Sequence, residues 1–174
     1  MEHVEERTDQ EMDYKRAQEI YLRIQKKEPK AQADDLKTLR ADVPRTYPEE
    51  PFFNTDEAPG RRSLDQLLRT LIKHSSSTGY TQGMNNIAAV LIFHSDEVFA
   101  FDLMIKLLND YHLKEVTMNS LYGLHMNCDV LSALVKVELP SLGEHFKKTG
   151  VSPFQFSHNW IFTLFSQNIP LGQI

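Results

Sequence analysis

The sequence has 174 residues, which is enough for one compact domain with a hydrophobic core. Hydrophobic residues make up 41% and charged residues 25%, with seven glycines and eight prolines, so a fibrous or low-complexity protein is excluded. The net charge is −5 and the basic residues form no continuous stripe, so nucleic acid is not expected as a partner.

The polarity of the N-terminus and the use of cysteine indicate the compartment. A single cysteine, Cys128, excludes an intramolecular disulfide and fits a reducing environment. The longest apolar run, residues 87–93, is far shorter than the roughly 20 residues of a membrane-spanning helix. The acidic start MEHVEERTDQEMD resembles neither a secretory signal nor a transit peptide. These features predict a soluble cytoplasmic protein without a transmembrane segment.

Helical signals begin near the N-terminus. Residues 8–11, TDQE, have capping-box spacing and predict a charged helix from there to about Lys27. A shorter helix is predicted over residues 31–41. Two prolines then cannot continue it, so residues 42–60 are expected to be mainly loop.

The middle of the chain carries the clearest helical periodicity. A helix is predicted to begin at Ser63, because apolar residues recur at i, i+3, i+4, i+7 and i+8: Leu64, Leu67, Leu68, Leu71 and Ile72. After a polar break, residues 84–93 predict a helix that is buried on most sides. Another helix is predicted to begin at residues 95–97, whose acidic side chains suit a helix N-terminus.

The last third continues the helical pattern. A long helix is predicted over about residues 119–139, and Pro140 opens a short helix that Gly150 can end in a left-handed conformation. An aromatic-rich helix then stops near Pro170. The predicted class is therefore all-α, with about seven helices packed around one core.

The histidines and the cysteine carry no pattern of metal binding or nucleophilic catalysis. No two of the seven histidines lie three or four residues apart, the spacing that would place both on one helical face. A histidine site assembled by the tertiary fold stays open as an alternative. Cys128 lies in an apolar helical stripe, so we expect it to pack as a small hydrophobic residue. The sequence contains no glycine-rich phosphate loop, and no cofactor or metal is expected.

Two polar loops are not explained by the helical periodicity. In LRADVPRTYP, Arg45 stands between two prolines, and in GYTQGM, Gln82 stands between Gly79 and Gly83. The glycines indicate a sharp turn or a close approach, which would present Gln82 at the rim of a loop. The ordinary interpretation is a solvated or capping arginine, and a glutamine that hydrogen-bonds nearby backbone. The alternative is that both side chains are functional.

Together the two loops resemble the two signatures of the TBC domain, the family of Rab GTPase-activating proteins. The first signature is similar to five residues here: Leu39, Asp42, Arg45, Thr46 and Pro48. The second signature is similar to Tyr80, Gln82, Gly83, Met84 and Asn85. The resemblance covers about residues 21–174 as a partial TBC-like domain and leaves residues 1–20 as a charged N-terminal helical extension.

The resemblance implies an irregular multi-helix domain that activates a Rab-type small GTPase in its GTP-Mg²⁺ form. It implies that Arg45 acts as an arginine finger and that Gln82 positions the attacking water in the partner's site. Four residues are implied to support them: Asp42, Thr46, Tyr80 and Gly83. The nucleotide and Mg²⁺ would belong to the partner. Vesicle trafficking, with peripheral recruitment to endomembranes by other proteins, is the implied setting; the sequence does not indicate an oligomeric state.

The sequence departs from the family at both ends. The family's opening Gly-x-Pro and Arg…Trp helix has no counterpart, since the sole tryptophan is Trp160. The sequence also ends at Ile174, before the helices that complete the family's second half. Phe162 and Phe165 are therefore expected to be exposed. Two alternatives stay open: a non-catalytic TBC-like binding module, and a helical adaptor whose loops match by chance.

Overall fold

The structure, a computed structural model, describes residues 2–26, 33–74, 79–117 and 121–174. Within these ranges there are nine α-helices, two 3-10 helices and no strand, which confirms the predicted all-α class with more helices than the seven expected. The α-helices are α1 (Glu2–Gln25), α2 (Ala33–Asp42), α3 (Pro59–His74), α4 (Met84–His94), α5 (Glu97–Asn109), α6 (Leu113–Thr117), α7 (Tyr122–Glu138), α8 (Pro140–Thr149) and α9 (Phe154–Thr163). The 3-10 helices are Val43–Arg45 and Leu171–Gln173.

The chain divides into two compact units, residues 1–107 and 108–174, whereas the sequence predicted a single core. In the first unit, α3 packs against α4, and α1 and α2 also contact α3. The predicted apolar stripe of α3 is buried: Leu64, Leu67, Leu68, Leu71 and Ile72. Tyr21 of α1 packs its ring 5.0 Å from that of Phe101 of α5. This unit carries both polar loops.

The second unit is built around α7, which contacts α6, α8 and α9. A Cβ added at Gly123 would lie 2.7 Å from the main-chain oxygen of Glu115, so glycine permits the close approach of α6 and α7. Cys128 is buried, and its Sγ lies 3.4 Å from Ser157 Oγ of α9. Its predicted packing role is confirmed.

Several predicted boundaries are wrong. Helix α1 begins at Glu2 and runs through the TDQE segment, so residues 8–11 do not cap its N-terminus. Helix α3 begins at Pro59, one turn before Ser63, because proline suits a first turn whose amide would be unpaired. Helix α9 ends at Thr163 rather than near Pro170, since Leu164 takes a left-handed conformation. Three predicted helix termini lie outside the described residues: Lys27, Ala31 and Asn119.

Other boundaries are confirmed. Helix α4 begins at Met84 as predicted. Asp96 caps α5, because its Oδ1 accepts from the amides of Val98 and Phe99, each at 3.0 Å. Helix α8 begins at Pro140 and ends at Thr149, and Gly150 after it takes the predicted left-handed conformation, with φ 69°. No helix among the described residues is long and apolar enough to cross a membrane.

Candidate functional site

The first polar loop begins where α2 ends. Asp42 closes α2 and the 3-10 helix Val43–Arg45 follows, with Pro44 in its first turn. The side chain of Arg45 is 57% exposed, whereas that of Asp42 is 1% exposed. Arg45 Nη2 donates to Asp42 Oδ1 at 2.5 Å. The loop therefore presents a guanidinium to solvent while a buried carboxylate holds one of its nitrogens.

The second polar loop is a tight turn ahead of α4. The amide of Met84 donates to the main-chain oxygen of Thr81 at 3.1 Å, which places Gln82 and Gly83 at the two central positions. Gly83 has φ 109° and ψ −31°, close to the third position of a type II turn, where a residue with a Cβ is strained. Gln82 is exposed. The glycine thus shapes a turn that presents Gln82 to solvent.

Buried hydrogen bonds join the two loops. Tyr80 OH donates to Asp42 Oδ2 at 2.8 Å, across 38 residues of sequence. Asn85 Nδ2 donates to Thr46 Oγ1 at 2.8 Å, and Thr46 Oγ1 donates to the main-chain oxygen of Asp42 at 2.8 Å. All four residues are buried. The loops that carry Arg45 and Gln82 are therefore held against each other by their own side chains.

Asn85 also belongs to the candidate site, although its position in the sequence predicted no role for it. Its Oδ1 accepts from the amide of Gly83 at 3.0 Å and lies 3.1 Å from Tyr80 OH. The same side chain therefore fixes the Gln82 turn and reaches across to the Arg45 loop. The available signal was an asparagine at the start of a largely apolar helix, since a buried polar group needs partners.

The electrostatics of the cluster keep Tyr80 neutral. Burial raises the pKa of its phenol well above the ordinary value, and the hydrogen bond to Asp42 raises it further. The phenol therefore stays a donor at physiological pH. With Arg45 on one oxygen and Tyr80 on the other, both carboxylate oxygens of Asp42 are satisfied.

The six sequence-predicted site residues all lie in the first unit: Arg45, Gln82, Asp42, Thr46, Tyr80 and Gly83. Asp42, Thr46 and Tyr80 share the buried network. In the part of the chain that the structure describes, no group of three His, Cys, Asp or Glu side chains could hold a metal ion. The two loops present the exposed guanidinium of Arg45 and the exposed amide of Gln82, which suit contact with an anionic group of a partner.

Two solved structures share the fold. The Ypt/Rab-GAP domain of Gyp1p is 18% identical, with a TM-score of 0.76 over 93% of this chain and 58% of that one. The Chlamydomonas flagellar RabGAP TBC domain is 24% identical, with a TM-score of 0.72 over 88% of this chain and 49% of that one. At these identities the likeness establishes the architecture.

Curated relatives match by sequence. Gyp51, a GTPase activating protein of Schizosaccharomyces pombe, is 33% identical over 149 residues, which is 79% of this chain and 14% of that protein. The Rab GTPase-activating protein tbc-11 of Caenorhabditis elegans is 27% identical over 136 residues, 78% of this chain and 15% of that protein. Mouse Carabin is 27% identical over 80% of this chain and 31% of that protein. The chain thus spans less than a third of the length of each of these relatives.

The model of one protein family covers nearly the whole sequence. The Rab-GTPase-TBC domain model matches residues 3–174. The match includes both polar loops and the helices on which they are built. The chain therefore belongs to the Rab-GTPase-TBC domain family.

Proposed function

We propose that this domain accelerates GTP hydrolysis by a Rab-type small GTPase in its GTP-Mg²⁺ form. Arg45 and Gln82 are the groups that it inserts into the partner's nucleotide site. The observation that carries the proposal is the pairing of two exposed side chains on loops joined by a buried network. The proposal includes a cytoplasmic location with peripheral recruitment to endomembranes by other proteins.

The chemistry of GTP hydrolysis explains why these two side chains suit the task. As water attacks the γ-phosphate, negative charge spreads over the phosphoryl oxygens, and a guanidinium can stabilise them with forked, charge-assisted hydrogen bonds. In the known case of Ras, an arginine supplied by a partner accelerates hydrolysis by about 10³–10⁵-fold. That corresponds to about 4–7 kcal/mol of barrier. The amide of Gln82 can both accept from and donate to the attacking water.

The supporting residues act by holding the loops. Asp42 holds the guanidinium of Arg45, which limits the conformations that must be lost when the GTPase docks. Thr46 and Tyr80 tie the first loop to α4 through Asn85. Gly83 permits the turn that carries Gln82. None of these four needs to touch the nucleotide.

The test is single-turnover GTP hydrolysis by a panel of purified Rab proteins, with and without this domain. Arg45→Ala is expected to lower the accelerated rate by about 10³-fold or more, and Arg45→Lys to fail as well, because an ammonium lacks the planar fork. Gln82→Ala is expected to lower it too. Arg23→Ala and Gln18→Ala are matched controls, since both residues are exposed on α1 in the first unit.

The same experiment separates the alternatives. If the folded domain accelerates no Rab but binds the GTP-bound form of one, the catalytic proposal is wrong and the domain is a non-catalytic binding module. If it binds none, an adaptor of another kind is favoured. Circular dichroism of each variant checks that its helical fold is intact.

A further inference from the structure

Arg61 makes three directional contacts that the proposed chemistry does not use. It lies in the first turn of α3, and its side chain is 11% exposed. Its Nε donates to the main-chain oxygen of Phe53 at 2.7 Å, its Nη2 to that of Pro44 at 3.0 Å, and its Nη1 to Asp56 Oδ1 at 3.0 Å. One guanidinium therefore joins three points of the chain.

The contact with Pro44 reaches the main chain beside Arg45. The oxygen that Arg61 binds belongs to the peptide group linking Pro44 to Arg45. Arg45 itself lies in a three-residue 3-10 helix, an element whose internal hydrogen bonds have poor geometry. Such a short element depends on outside contacts for its orientation. Asp42 holds the side chain of Arg45, and Arg61 holds the backbone from which that side chain extends.

The helix that carries Arg61 packs into the core of the first unit. Helix α3 buries its apolar face and packs against α4, the helix that begins directly after the Gln82 turn. Phe53, which supplies another acceptor for Arg61, is fully buried. Arg61 thus connects the backbone at Pro44 to the same helices that support Gln82.

We propose that Arg61 is a positioning residue that sets the backbone orientation of Arg45. This inference rests on the proposed function of Arg45. The planar guanidinium serves three acceptors in a fixed fork, which neither lysine nor glutamine reproduces. The two carbonyl contacts carry the effect, because Asp56 is 85% exposed and a solvated ion pair contributes little.

The first test needs no GTPase. Amide hydrogen exchange, resolved by residue with NMR, is measured in the wild-type domain and in Arg61→Ala. Exchange at Arg45, Thr46 and Tyr47 is expected to be faster in the variant, because the loop opens locally. Arg62→Ala removes the same charge from the neighbouring exposed position, and Asp56→Ala removes only the ion pair. Both controls are expected to keep wild-type exchange at these amides.

The second test measures hydrolysis against domain concentration, under single-turnover conditions, with a Rab that the wild-type domain activates. Arg61→Ala is expected to lower the rate at saturating domain by about 10- to 100-fold, with the half-saturating concentration changed by less than about threefold. A displaced finger gives this result, since it lowers the rate inside the complex. A general loss of folded protein would instead raise the half-saturating concentration and keep the plateau.

The outcomes are distinguishable. Unchanged amide exchange in Arg61→Ala, or an unchanged plateau, overturns the positioning role. If the wild-type domain activates no Rab, the proposed function fails, and the exchange experiment alone decides whether Arg61 anchors the loop. If Arg61→Ala does not fold, Arg61→Gln takes its place, because it keeps an amide donor at that position. It is expected to show the same pattern with a smaller effect.

Discussion

Asp42 is the residue on which the candidate site depends most. Its carboxylate is buried, and an unpaired buried charge would strongly destabilise the fold. Arg45 and Tyr80 each satisfy one of its oxygens. The same two contacts join the surface cation to the second loop. The buried side chain of Asp42 therefore both stabilises the two loops and positions Arg45.

Tyr80 predicts how stability changes at alkaline pH. Its folded-state pKa lies above the ordinary value of 10.0, first through burial and then through the hydrogen bond to Asp42. A group of this kind contributes stability that is fully present below the unfolded pKa and is lost as pH rises above it. In urea unfolding at a series of pH values, the wild-type free energy of unfolding is expected to fall more steeply above pH 10 than that of Tyr80→Phe.

Tyr111→Phe is the control for this measurement, because Tyr111 is 75% exposed. It should reproduce the wild-type pH dependence. Burial and the hydrogen bond to Glu97 also raise the pKa of Tyr21. Tyr21 is present in all three proteins, so its contribution cancels in the comparison. Equal slopes for Tyr80→Phe and wild type would contradict the protonated, buried state of this phenol.

Two very short elements present the candidate catalytic side chains, and each is shaped by a residue with restricted or unusual backbone geometry. Pro44 lies in the 3-10 helix of the first loop, and Gly83 lies in the turn of the second. Neither element has enough internal hydrogen bonds to be stable alone. Their orientation comes from α3 and α4, on which both rest through side-chain contacts.

Gly83→Ala tests the turn. A Cβ at φ 109° is strained, so the free energy of unfolding is expected to fall by about 1–3 kcal/mol. The accelerated hydrolysis rate should fall as well, because relief of the strain turns Gln82 away. Chemical denaturation and single-turnover hydrolysis measure the two effects. Gly172→Ala is the control, since a Cβ there meets nothing within 4 Å. If Gly83→Ala has the same free energy of unfolding and the same hydrolysis rate as Gly172→Ala, the account of the turn is wrong.

At the scale of the whole molecule, the second unit exposes apolar side chains beyond Phe162 and Phe165, the two that were predicted to be exposed. Phe165 is exposed as predicted, whereas Phe162 is only partly exposed. A larger feature is a stripe on α7 at helical spacing, formed by Tyr122, Met126, Val130, Leu134 and Val137, all exposed. Exposed apolar stripes of this kind favour dye binding and self-association.

Charging the stripe is expected to reduce this behaviour. The double variant Val130→Glu with Val137→Glu should bind less 1-anilinonaphthalene-8-sulfonate, because two carboxylates interrupt the apolar surface. Its helical circular dichroism should be unchanged, since both residues are exposed. Ser141→Glu with Gln167→Glu adds the same charge at exposed polar positions and controls for charge alone. Equal dye binding in the two double variants would show that the stripe does not attract the dye.

Local signals in the sequence determined the helical class, the apolar stripe of α3, the start of α4 and the two loops with Arg45 and Gln82. Helical periodicity and turn-forming residues act over a few positions, so they can be recognised without knowledge of the tertiary fold. The tertiary structure alone decided that Tyr80 reaches Asp42 across 38 residues, that Asn85 reaches Thr46 across 39, and that Arg61 reaches Pro44 across 17. It also decided the division into two units and the start of α1 before its apparent capping box. These features depend on which helices pack together, because a buried polar side chain takes the partner that packing brings within reach.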